Sequence, residues 1–311
     1  MKGDDAIRQL LALNSWRAAF TNAKIVIFVD SVFDIEIVEH VGVHAVQHEI
    51  RRNERGTPFV SDAILKVESI SDTELYCYIN GDIVIPKQVN VNLMLLKKAF
   101  LCVGRRIDCD IPLQPKEVVD TVEIANYCLK LAFGTWRGSD YFLYKKGSFA
   151  NIEDLVVGRP GWDNYMIYHA HELRYAVIDA TFIVNAIHLN HEYKHVSGSR
   201  AGSHYGPEAD CQIEKLGFAI RYDVRDSDYI ATERGLRYAV EDIYVQAKLQ
   251  KYRSIGNTRI VRKVFWAMES LYLWISGRSD LGLFRKMLTG TLARAVCVIA
   301  MNSKVLDNSA K

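Results

Sequence analysis

Short apolar runs alternate with amphipathic stretches along the first two-thirds of the chain. Residues 24–30 form a nearly unbroken apolar run that closes on Asp30, the pattern of a strand buried on both faces. Residues 32–40 then read as a helix and 43–47 as a second strand. A polar loop, 51–58, opens a helix over 59–70, and strands follow at 74–79 and 99–104. A long helix is expected over 116–133, a strand at 141–144, a helix over 162–173 and a strand at 176–179. Strands and helices alternating at these lengths predict an α/β fold with a layered, mostly parallel sheet.

The pattern changes near residue 230. From about residue 233 it is helical, with Val240, Ile243, Tyr244 and Ala247 on one face. Two further helices are expected at 259–275 and 281–301, split by the polar segment 276–280. The chain therefore divides into an α/β domain over 1–230 and a helical appendage over 231–311.

Composition narrows the partners. A chain of 311 residues with 49% hydrophobic and 24% charged positions can bury a large core without staples. The 39 Lys and Arg nearly balance 37 Asp and Glu, so a nucleic-acid partner held by bulk charge is not expected. Six cysteines stand without any Cys-x-x-Cys pair, which suits reduced thiols in a cytoplasmic protein. The N-terminus carries no leader pattern, and the apolar stretch 292–301 is interrupted by Arg294 and too short to span a bilayer.

Ligands of open α/β sheets bind at the carboxyl ends of strands. At one such end, Ile79-Asn80-Gly81-Asp82 offers two oxygen-bearing side chains around a glycine. Hard oxygen donors there suit Mg²⁺ or Mn²⁺ beside a diphosphate, although Asn-Gly-Asp is also common turn chemistry. Asp108-Cys109-Asp110 competes for that role, with Arg105 and Arg106 beside it to hold a phosphate or to lock the loop by ion pairs. In Gly158-Arg159-Pro160-Gly161-Trp162-Asp163-Asn164, Asp163 reads either as a cap or first-turn acid of the next helix or as a general base, with Trp162 as a flat stacking wall. Six of nine histidines fall between 169 and 204. The spacing His188-x-x-His191-x-x-x-His195 sits in what reads as an irregular loop, so one histidine completing a site with Asp82 is preferred to a dedicated zinc site.

Three blocks occur in order: Val103-Gly104-Arg105-Arg106-Ile107-Asp108-Cys109-Asp110-Ile111, the Gly158–Asn164 block with Tyr165, and Ile187-His188-Leu189-Asn190-His191-Glu192-Tyr193. With 24–30, Arg52-Asn53-Glu54-Arg55-Gly56-Thr57-Pro58 and Tyr78-Ile79-Asn80-Gly81-Asp82, they resemble bacterial and viral glycosyltransferase-like proteins of the GT-A (nucleotide-diphospho-sugar transferase) fold. The likeness covers roughly residues 2–215, and its most specific part is the Gly-Arg-Pro-Gly-Trp-Asp-Asn block.

The resemblance implies a GT-A-like sheet sandwiched by helices, a nucleotide-sugar donor, Mn²⁺ or Mg²⁺, and a glycan or lipid-linked acceptor. By position, Asn80 and Asp82 match the degenerate Asp-x-Asp that holds metal and diphosphate, and His188 matches the late histidine that completes that site. Asn53 and Asp62 would lie against base and ribose, and Arg105, Arg106 and Asp108 beside the donor. Asp163 matches the base of inverting members, with Trp162 and Asn164 toward the acceptor. The chain departs from the pattern in two places. Its first strand is 24–30, with no earlier donor-gripping strand, and Gly81 stands where similar proteins tend to have Ala.

Two other readings stay open: a non-catalytic nucleotide- or glycan-binding protein of the same fold, and a metal-dependent hydrolase using the histidine cluster. The tail interleaves Arg259, Arg262, Lys263, Arg278, Arg285, Lys286 and Arg294 with Phe265, Trp266, Tyr272, Trp274 and Phe284. That pattern suits either packing against the sheet or peripheral contact with an inner-membrane face.

Overall fold

The computed structural model describes residues 3–28, 44–46, 50–94, 98–109, 138–190, 205–240 and 244. Its elements run α1 (Gly3–Ala19), β1 (Val26–Phe28), β2 (His44–Val46), α2 (Val60–Ile70), β3 (Leu75–Ile79), β4 (Ile83–Val84), β5 (Phe100–Val103) and β6 (Ile107–Cys109). They continue with β7 (Tyr141–Lys145), α3 (Trp162–Glu172), β8 (Ala176–Asp179), α4 (Thr181–Val184), β9 (Ile187–Leu189), α5 (Pro207–Leu216), β10 (Tyr229–Thr232) and β11 (Gly235–Tyr238). The helices expected at 32–40, 116–133, 259–275 and 281–301 lie outside the described residues.

Among the described residues the main sheet has the order β11-β10-β8-β5-β7-β3. Strands β3, β5, β8 and β10 share one direction while β7 and β11 oppose it, so the sheet is mixed. Its central strand explains the continuous apolar runs. In β5, Phe100 and Cys102 face a core that includes Leu13, Trp16 and Ala19 of α1, while Leu101 and Val103 face Val60, Ile64, Met166 and Ala170 of α2 and α3. Neighbouring β7 splits the same way, Tyr141 and Leu143 against Phe142 and Tyr144. A strand covered on both faces has no position left for a polar side chain. Each large apolar side chain enclosed there contributes about 1.5–3 kcal/mol.

A second sheet, ordered β4-β9-β6, was not legible in the sequence. Each of its strands continues a main-sheet strand after a short crossing: β3 into β4, β5 into β6, and β8 through α4 into β9. Helix α1 was missed as well. It docks on the second sheet through Trp16, whose indole Nε1 donates to the Ile83 carbonyl at 2.7 Å, and through Ser15 Oγ, which accepts from the Ile85 amide at 3.0 Å.

Two expectations are corrected. The boundary near residue 230 cuts the β10–β11 hairpin, which pairs antiparallel from Tyr229↔Tyr238 to Thr232↔Gly235 and carries the sheet on to Tyr238. The start of the helix expected from residue 233 is strand β11, which places Leu236 against the core. Nor are all six cysteines reduced thiols: Cys109, buried at the end of β6, is disulfide-bonded, whereas Cys77 and Cys211 are free. Among the described residues no helix is long and apolar enough to cross a membrane.

The crossing after β5 is the tightest. A Cβ on Gly104 would stand 1.9 Å from the Tyr141 hydroxyl and 2.7 Å from the Thr181 backbone nitrogen, and the latter cannot swing away. A Cβ on Gly81, in the crossing after β3, would meet nothing within 4 Å. We expect Gly104→Ala to destabilise the fold by roughly 1–3 kcal/mol or more through overpacking. Gly81→Ala should change stability by less than about 0.5 kcal/mol. Urea denaturation of the two variants checks the contrast, and equal effects would contradict it.

Candidate functional site

The carboxyl ends of the codirectional strands gather one edge of the sheet, and the three crossings start there. Asn80 and Asp82 lie in the first crossing, Arg105 and Arg106 in the second, and Asp140 immediately before β7, which enters from the same edge. Helix α3 runs back toward the start of β8, so its first turn, with Asp163, also lies at this edge. Loop 51–58 joins it through the N-terminus of α2, where the Val60 amide donates to the Leu155 carbonyl.

The second sheet does the fine positioning. Parallel pairing of β6 with β9 sets Asp108 opposite His188, and antiparallel pairing of β4 with β9 sets Ile83 opposite His188. The register thus brings Asp82, Asp108 and His188 together from three strands. His188 is 3% exposed, with Nε2 3.2 Å from Asp82 Oδ2 and Nδ1 3.1 Å from Asp108 Oδ1. The Asn190 side-chain oxygen lies 3.2 Å from the same Nδ1. Burial alone would lower the imidazole pKa, but hydrogen bonds to Asp108 and Asp82 outweigh it and raise it to about 9. The residue is therefore an imidazolium at neutral pH, clamped between two carboxylates. The hydrogen bond from His188, opposed by partial burial and helped by the nearby Arg106 charge, holds the Asp108 carboxyl below its ordinary value.

Arg106 joins this group to the main sheet. Its Nε donates to Asp108 Oδ1 at 2.9 Å and its Nη1 to Asp140 Oδ2 at 2.8 Å. Asp140 Oδ1 accepts from Asn80 Nδ2 at 2.6 Å. Burial pushes the Asp140 carboxyl up, and the Arg106 cation opposes that. Sequence reasoning missed Asp140, because an aspartate before an aromatic strand signals nothing until β7 is seen between β3 and β5.

Asp163 is the second residue of α3 and an acid of its first turn, while Gly161, with φ at +94°, holds the N-cap position. Desolvation, then the negative charge of Asp140, raise its pKa to about 6; hydrogen bonds from the backbone amides of Asn164, Ser139 and Asp163 itself pull the other way. A carboxylate poised near neutrality is the group a proton acceptor requires.

The remaining expected residues are placed differently. Arg105 is 5% exposed and lies near the Asp179 carboxylate, while burial pulls its pKa down. Trp162 is also 5% exposed and packs between Tyr78 and Phe142, with ring centroids 5.2 and 5.1 Å away. It is core behind Asp163 and offers no open stacking face. Asn164 donates its amide to the Tyr222 carbonyl, tying α3 to the turn after α5. Asn53 organises its own loop, accepting from the Arg55 and Thr57 amides at 3.0 and 2.9 Å and donating to Glu208, which is also paired with Arg159. Asp62 accepts from the Arg51 amide at 2.7 Å and from Arg51 Nε at 3.2 Å. These two residues brace the loop beside the site. The stretch around Leu189, expected to be irregular, is strand β9, while His191 and His195 lie outside the described residues.

Carboxylate oxygens and an imidazole are fitting donors for Mn²⁺ or Mg²⁺, and here they are engaged with one another. Asp82 and Asp108 address opposite edges of the His188 ring instead of a common point. Among the described residues no group of three or more His, Cys, Asp or Glu is disposed to hold a metal.

The clamp has a pH signature. The folded pKa of His188 is raised from 6.5 to about 9, so its contribution to stability is fully present below 6.5 and lost as pH rises through 9. His188→Gln should cost on the order of 3 kcal/mol at pH 6 and much less at pH 9.5. Denaturation of wild type and variant at both pH values measures this; a difference that does not shrink would contradict the imidazolium clamp.

No protein-family model matches the chain, and neither the curated proteins nor the solved structures contain a significant match to it.

Proposed function

We propose that the chain is a glycosyltransferase that moves a sugar from a nucleotide-diphosphate donor to a hydroxyl of a glycan or glycolipid acceptor, with inversion. The observation that carries this reading is one edge holding both a carboxylate poised near neutrality, Asp163, and a cationic pair, Arg106 and His188, beside the Asn80–Asp82 crossing. Together with the motif order in the sequence, this supports a site that receives a proton from an acceptor hydroxyl and meets the growing negative charge of a departing diphosphate.

In this mechanism Asp163 takes the acceptor proton as the hydroxyl oxygen attacks the sugar carbon and the bond to the diphosphate breaks. The Arg106 guanidinium and the His188 imidazolium neutralise the leaving group. Both already hydrogen-bond carboxylates, so an incoming diphosphate competes with Asp108 and Asp140 for them. Mn²⁺ or Mg²⁺, if bound through Asp82 and a deprotonated His188, would supply further neutralising charge. No step above depends on it.

One observation favours a second reading, a non-catalytic nucleotide- or glycan-binding protein of the same fold. Asp82 and Asp108 are both engaged by the His188 ring, as in a site kept for its shape. Thermal shift against nucleotide sugars, with and without Mn²⁺, followed by a transfer assay on any sugar that binds, separates the two. Donor binding without transfer supports the second.

Two variants test the roles. Asp163→Asn should cut turnover by about 10²- to 10⁴-fold, the usual loss for a positioned base, with little change in donor affinity. Because the folded pKa of Asp163 is raised, its charged form opposes folding above pH 6, so the same variant should melt no lower than wild type at pH 7. Lower melting with near-normal turnover would make Asp163 structural. Asp82→Ala should remove any Mn²⁺-dependent gain in nucleotide affinity, measured by calorimetry; an unchanged gain would move attention to Asp108.

A further inference from the structure

Residues 138–140 touch three arms of the site, at Asn80, Arg106 and Asp163. The Gly138 carbonyl accepts from the Arg106 amide at 3.3 Å, and the Ser139 amide donates to the Asp163 carboxylate. The Asp140 carbonyl accepts from the Asn80 amide at 2.9 Å, while its carboxylate accepts from Asn80 Nδ2 at 2.6 Å and from Arg106 Nη1 at 2.8 Å. Gly138 is fitted to the Arg106 side chain. Its φ is +86°, where side chains are strained, and an added Cβ would sit 3.2 Å from Arg106 Nε and 3.5 Å from Cζ. The guanidinium thus lies against bare backbone, turned to Asp140 on one side and Asp108 on the other.

We propose that Gly138–Asp140 is the clip of the site, with Asp140 a positioning residue that sets the Asn80–Asp82 crossing, the Arg106 guanidinium and the Asp163 carboxylate in one fixed relation. The catalytic meaning of the clip rests on the transferase reading above, but its physical content does not. Asp140 lies just before β7, and β7 separates β3 from β5. A residue there reaches the crossings on both sides. Its carboxylate is 5% exposed and draws a hydrogen bond from each. Apolar packing would have filled the place without desolvating a charge, so the acid serves orientation more than stability. Asp163 gains twice: the Ser139 amide holds its orientation, and the Asp140 charge opposes its ionisation. Among the described residues, Arg106 and His188 favour the charged form of Asp140, while burial and the Asp82 charge oppose it.

The test is the ¹³C carboxyl titration of Asp163 in the full chain, which needs neither donor nor acceptor. Wild type should show a midpoint near 6. Asp140→Asn keeps an oxygen for Asn80 and removes the charge, so the Asp163 midpoint should fall toward the ordinary carboxylate range. Should Asp140→Asn fail to fold, Asp163→Asn supplies the reciprocal measurement, because coupling between two sites is mutual: the Asp140 midpoint should then fall. An Asp163 midpoint that stays near 6 in Asp140→Asn, or an Asp140 midpoint unmoved in Asp163→Asn, overturns the clip. If the midpoints move as expected and no sugar transfer is found with any donor, the clip stands and the transferase reading falls.

Discussion

The backbone at Gly104, in the crossing after β5, is packed without room for a side chain. The Tyr141 hydroxyl and the Thr181 amide leave no space there for a single extra carbon. Crossings after β3, β5 and β8 tie the main sheet to the second one, and Asp82, Arg106, Asp108 and His188 lie in or beside them. The order of cause runs from packing to chemistry. Central strands covered on both faces expel polar side chains to their ends, and the ends on one edge are joined by turns too short to wander.

Within that edge the charges are arranged by mutual satisfaction. His188 is held between Asp82 and Asp108, Arg106 between Asp108 and Asp140, and Asn80 against Asp140. Buried groups of this kind are stabilising only when each finds its partner. Taking out one member leaves another exposed to the full cost of burial, which ties the site's integrity to that of the fold. Asp163 is the exception, raised toward neutrality and left with backbone amides for company. Its readiness to take a proton and its failure to stabilise the fold have the same origin.

Residues beside the site illustrate why neighbouring positions in sequence can do unrelated work. Arg105 and Arg106 are adjacent, yet one enters the interior near Asp179 and Tyr244 and the other faces Asp108 and Asp140. Asp179 is itself fully buried, accepting from the Thr181 amide and hydroxyl at 2.8 and 2.5 Å and from the Tyr244 hydroxyl at 2.6 Å. That contact pins residue 244 to the end of β8. Trp162 and Asp163 divide in the same fashion, the indole into the core and the carboxylate toward the edge.

The sequence by itself determined the strands at 75–79, 100–103, 141–145 and 176–179 and the helices at 60–70 and 162–172, because apolar periodicity reports burial directly. It also pointed to Asp82, Asp108, His188 and Asp163 as chemistry-bearing residues at strand or helix ends. It could not show the two- and three-residue strands of the second sheet, which are too short to carry a period, or the four-residue strands of the β10–β11 hairpin. Which of two adjacent arginines faces the site was decided by the crossing after β5. Pairing register, acting across some eighty residues, set His188 opposite Asp108. Asp140 became visible only once β7 lay between β3 and β5, since a carboxylate takes its role from what the fold brings within reach of its oxygens.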